Sequence, residues 1–123
     1  MPRVVHFEIP ANEPERAVKF YTDVFDWDIK RWSGTQPYWL VTTGDIQAQG
    51  GINGAITKKQ GPNIATVNTI EVPSVDEFTE KIAKSGGKVI SPKMTISGIG
   101  YMAYCRDTEG NVFGILQPDM SAI

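Results

Sequence analysis

The stretch VVHFEIPANEPERAVKFYTDVF, Val4 to Phe25, reads as one strand followed by one helix. Val5, Phe7 and Ile9 alternate with Val4, His6 and Glu8, the period-2 pattern of a half-buried strand. Pro10 ends it. Asn12 stands where an N-cap is wanted, with Glu15 three residues on, a variant of the capping box. Pro14 falls in the first turn, where a missing N–H costs little. Ala17, Phe20, Tyr21, Val24 and Phe25 then recur at helical spacing and predict an apolar helix face over residues 13–25.

Outward from this unit the pattern continues and then repeats. Trp27–Trp32, Tyr38–Thr43 and Ile46–Ile56 read as strands, the last containing Gly50-Gly51 and Asn53-Gly54. Paired glycines inside a strand predict a kink, a bulge or a close approach to the backbone. Polar Lys58–Asn63 reads as a linker. Ala65–Val72 is a second opening strand, and Ser74 with Glu77 forms a capping box. Val75, Phe78, Ile82 and Ala83 make a helical stripe that Gly86-Gly87 stops. Lys88–Ile96 is strand material interrupted by Pro92; Gly100–Arg106 and Asn111–Gln117 are strands joined by a turn at Asp107–Gly110. Both halves thus read strand–helix–three strands, and Glu8-Ile9-Pro10 is echoed by Glu71-Val72-Pro73, the mark of a duplication. The expected class is α+β: two βαβββ modules, 1–57 and 64–118, joined by a linker over 58–63 within a single domain of residues 1–123. Their mixed, curved sheets are expected to form a cleft, within one chain or between two.

Composition narrows the function classes. The 123 residues suit one domain with its own core, and a net charge of −2 offers no electrostatic case for nucleic acid or an anionic membrane. No apolar run approaches the roughly 20 residues of a membrane span, and the N-terminus lacks an apolar signal core, so a cytoplasmic location is expected. One Cys excludes an intrachain disulfide framework, and one His leaves few soft metal ligands.

The phrases Val5-His6-Phe7-Glu8-Ile9-Pro10, Arg16–Tyr21 followed by Val24-Phe25-Asp26-Trp27, and Asp107–Gly114 resemble the vicinal oxygen chelate superfamily. That superfamily holds the glyoxalase I, bleomycin-resistance and extradiol-dioxygenase proteins. The resemblance covers nearly the whole chain and implies the paired-module fold and a homodimer. It also implies where metal-dependent members carry ligands. His6 matches the first position. The second falls in Gly51–Ile56, which has no acid; the third falls on Val67 or Thr69; the fourth is Gly114. With one ligand position of the set matched, no cofactor is expected and a divalent metal is disfavoured, because such an ion needs about three or more protein groups.

The expected activity is therefore binding of a small apolar or aromatic molecule in a cleft. The alternative is a metal-dependent or metal-free lyase, isomerase or dioxygenase of the same superfamily. His6 and Glu8 sit one pleat apart on one strand face, as a base with a carboxylate that tunes it, or as polar residues of a cleft wall. Glu71 repeats Glu8 in the second module. Trp39 and Tyr101 are the aromatic ligand contacts expected among many strand aromatics, and Asn53 is a polar one. Cys105 is expected to be a small buried hydrophobe.

Overall fold

The computed structural model describes residues 1–45, 50–61 and 65–123. The strands are β1 (Arg3–Ala11), β2 (Asp28–Arg31), β3 (Tyr38–Thr42), β4 (Asn53–Lys58), β5 (Val67–Glu71), β6 (Lys88–Val89), β7 (Met94–Ile96), β8 (Gly100–Arg106) and β9 (Val112–Pro118); the helices are α1 (Pro14–Phe25) and α2 (Val75–Lys84). Two compact units form, one of His6–Thr66, the other of Met1–Val5 with Val67–Ile123.

In the unit His6–Thr66 the sheet runs β2-β3-β4-β1. β1 and β4 are parallel, with His6 opposite Asn53 and Glu8 opposite Ala55. β3 is antiparallel to β4, with Tyr38 opposite Thr57 and Leu40 opposite Ala55. Helix α1 lies on the other face. There Trp27 stacks on Tyr21 with centroids 5.0 Å apart and meets Phe7 at 6.1 Å. Phe7 in turn lies against Gly54, which has no room for a Cβ.

In the other unit β5 and β9 are parallel and β8 is antiparallel to β9. Val72, Val75, Ala103, Cys105 and Ile115 form its buried core, with Phe78 and Ile82 of α2 packed against them. Cys105 is a buried core residue, as expected, and burial pushes its thiol up from the ordinary value. Both units are mixed sheets bearing one helix, the α+β class read from the sequence.

Several local expectations are corrected. Asn12 is not the cap of α1: Glu13 holds that position with no side-chain capping bond, while the Asn12 carbonyl accepts from Lys58 Nζ at 2.5 Å. The apolar stripe of α1 is only half covered, with Phe20, Val24 and Phe25 exposed. Of the described part of the expected strand Ile46–Ile56, only Asn53–Ile56 is in β4, because Gly50 and Gly51 both take φ +77 and break the extended run; residues 46–49 lie outside the described residues. Lys58 belongs to β4 rather than to the linker, and residues 62 and 63 of that linker lie outside the described residues. The interruption expected at Pro92 is present, with β6 before it and β7 after it. Ser74 does cap α2, its Oγ accepting from Glu77 N at 3.1 Å.

Candidate functional site

The alternation of β1 sends His6 and Glu8 to the sheet face opposite α1. Across β4, the register of β3 brings Tyr38 to that same face. Its hydroxyl donates to Glu8 Oε2 at 3.0 Å and stands 2.9 Å from His6 Nε2. The His6 and Tyr38 rings are nearly parallel, with 4° between their planes. Trp32 N–H donates to the Tyr38 carbonyl, which continues the β2–β3 ladder and places Trp32 beside Tyr38, ring centroids 6.0 Å apart. The Trp32 ring folds over Gly34, where no Cβ fits. Leu40 extends the same face and is exposed.

Glu8 is only 8% exposed. A carboxylate this covered needs hydrogen-bond donors, and Tyr38 is one of them. Burial draws the His6 pKa below 6.5, and the Glu8 charge only partly offsets this. The imidazole is thus neutral around pH 7. With the His6 proton on Nε2, a proton accepted at Nδ1 would be balanced by passing the Nε2 proton to the Tyr38 oxygen and the Tyr38 proton to Glu8. The three residues therefore form a relay capable of general-base work as well as a polar anchor.

The other expected site residues are placed differently. Trp39 lies on the opposite sheet face from His6, in register with Arg31, whose guanidinium stacks 4.8 Å over its ring. The period-2 alternation puts Tyr38 and Trp39 on opposite faces, so the aromatics near His6 are Tyr38 and Trp32. Tyr101 packs against the core beneath α2, with Lys93 Nζ 5.0 Å over its ring. It is half-buried on the sheet face opposite Glu71, because Glu71 and Tyr101 pair with adjacent residues of β9, Leu116 and Gln117. Glu71 is exposed at the end of β5, whereas its echo Glu8 is buried. Asn53 stands opposite His6, but its Oδ1 accepts from Thr43 N at 2.9 Å and from Thr43 Oγ1 at 3.3 Å. The signal for Tyr38 was its even offset from Leu40 on a half-exposed strand; only the β3–β4–β1 order turns it toward Glu8.

The register also settles which residues occupy the ligand positions implied by the resemblance. His6 pairs with Asn53 across β1–β4, and Thr69 pairs with Gly114 across β5–β9, so the duplication aligns His6 with Thr69 and Asn53 with Gly114. These residues do not fit a divalent metal. They supply an imidazole whose Nε2 meets Tyr38, an amide oxygen held by Thr43, a hydroxyl and no side chain at all. Thr69 is 3% exposed, and its Oγ1 has no hydrogen-bond partner among the described residues. No group of three or more His, Cys, Asp or Glu able to hold a metal ion occurs among the described residues. A polar cavity of about 500 Å³, lined by Asn12, Lys59, Gln60 and Gly61, contains none of the expected site residues.

Duplicated strand–helix–strand units with a parallel opening pair, and a polar group on the helix-free face, define a glyoxalase-like α+β protein. The Glyoxalase/Bleomycin resistance protein/Dioxygenase superfamily profile matches residues 3–115, and the chain belongs to that family. A glyoxylase-like domain-containing protein of Didymella fabae is 32% identical over 114 residues, covering 88% of each chain. Among solved structures, a methylmalonyl-CoA epimerase in complex with methylmalonyl-CoA and NH4+ is similar with TM-score 0.74 at 12% identity, covering 99% of this chain and 98% of that one. A hypothetical protein from Bacillus halodurans C-125 is similar with TM-score 0.67 at 10% identity, covering 94% and 93%. At such identities the structures establish the shared fold alone. No helix among the described residues is long and apolar enough to cross a membrane.

Proposed function

We propose that this chain binds a small apolar or aromatic molecule on the His6–Glu8–Tyr38 face, without the metal used by metal-dependent members of its family. The observation that carries the reading is the Tyr38 hydroxyl joined to both His6 and Glu8 beside Trp32 and Leu40. Such a face offers apolar area with a few convergent polar groups, the composition of a small-molecule site. The donor set at the ligand positions supports the metal-free part. The protein is further proposed to be cytoplasmic and homodimeric, a state that light scattering on the purified chain measures directly.

A thermal-shift screen of aromatic compounds tests the reading, since a ligand of the folded state raises Tm. A hit whose effect disappears in His6→Ala or Trp32→Ala supports it. Stoichiometric zinc, nickel, manganese or iron in the purified protein, lost in His6→Ala, would sink the metal-free part.

The relay favours a second reading, an enzyme that abstracts a proton. The structural neighbour that binds methylmalonyl-CoA supplies a probe: incubation with that ester in D2O. Deuterium incorporation at the acidic carbon, abolished in His6→Ala, would place catalysis above binding alone.

A further inference from the structure

We infer that the Tyr38 bridge holds His6 as the tautomer with its proton on Nε2, so that Nδ1 is an acceptor and the ligand is an apolar or aromatic molecule carrying an O–H or N–H donor. The ligand part rests on the proposed reading of this face as a binding site.

A tyrosine hydroxyl has one proton, and a carboxylate only accepts. With the Tyr38 oxygen 3.0 Å from Glu8 Oε2, that proton is committed to Glu8. The 2.9 Å contact between Nε2 and the same oxygen is then a hydrogen bond only if Nε2 donates. A neutral imidazole has one N–H, so Nδ1 carries a lone pair. Among the described residues Nδ1 has no hydrogen-bond partner. Burial disfavours the imidazolium, which would turn Nδ1 into a donor and reverse the preference. An ether or carbonyl oxygen facing Nδ1 sets lone pair against lone pair. A phenol, acid or amide N–H makes a bond there instead. A site built for a hydrogen bond discriminates against analogues that lack it.

The chain has a single histidine, so histidine-selective 15N labelling yields one pair of ring signals. The expected pattern has the proton on Nε2. Phenol is expected to shift the Nδ1 signal to saturation, and anisole, equal in ring but without the donor, to bind about tenfold more weakly. Tyr38→Phe, checked for folding by its thermal melt, is expected to relax the single-tautomer pattern to a mixture. A proton on Nδ1, or an equal mixture in the unaltered protein, overturns the inference. Equal affinity for phenol and anisole overturns it too, while leaving the aromatic site in place. If neither compound moves a His6 signal at millimolar concentration, the binding reading and the ligand part of this inference fall together, while the 15N pattern of the free protein still decides the tautomer.

Discussion

The Tyr38 hydroxyl donates to Glu8 Oε2 at 3.0 Å, across an intervening strand and from thirty residues away in the chain. Glu8 is covered on a sheet face, so this bond compensates part of the desolvation of its charge. Tyr38→Phe keeps the ring and removes the donor. Its expected cost is about 1.5–3 kcal/mol, the range for hydrogen bonds to charged groups. Urea unfolding of the two proteins measures it. A change below about 0.5 kcal/mol would show that the bond matters little to stability.

His6 titrates below 6.5 in the folded chain, chiefly through burial. The sign follows from linkage: between its folded value and 6.5, the unfolded chain binds more protons. Stability from this group is therefore full above about pH 6.5 and declines as pH falls through the window below it. NMR titration of the lone histidine gives the folded value. The neighbouring groups in the relay are Tyr38 and Glu8; in Glu8→Gln the value is expected to fall further, because the Glu8 charge raises it.

Asp26 closes α1 with φ 61 and ψ 30, the left-handed region, and its N–H reaches the Thr22 carbonyl. A Cβ is disfavoured in that conformation. Asp26→Gly is expected to raise stability by about 0.5–1 kcal/mol, visible as a higher denaturation midpoint at unchanged m-value. An unchanged or lower midpoint would refute a conformational cost at this cap.

Gly54 lets the β4 backbone lie against the Phe7 backbone and ring, where a Cβ would collide with both. Gly54→Ala is expected to cost about 1–3 kcal/mol by overpacking. Hydrogen exchange should quicken first in the β1–β4 pair, where Phe7 and Gly54 face each other. Wild-type exchange in that pair would show that the contact yields without disturbing the ladder.

The sites where sequence reading erred share a cause. Asn12 has the right side chain for a cap, yet the chain turns one residue later, and local preference does not set the entry angle of a helix. Phe20, Val24 and Phe25 follow a clean helical period, but period alone does not say how much sheet lies beneath. Trp39 and Tyr101 have suitable chemistry, and their faces are set by strand register: Trp39 lies opposite the face of His6, and Tyr101 opposite the face of Glu71.

What the sequence determined by itself was everything carried by short-range periodicity. That includes the order of strands and helices, the duplication, the common face of His6 and Glu8, and the match of only His6 among the implied ligand positions. These depend on residues a few places apart, whose geometry the backbone repeats impose. Tertiary structure alone decided that Tyr38 joins His6 to Glu8, that Asn53 pairs with His6 and Thr69 with Gly114, and that Glu8 is buried while Glu71 is exposed. Those facts depend on which strands lie side by side and in what register. A shift of one residue in β3 would exchange Tyr38 for Trp39 and leave the relay without its bridge.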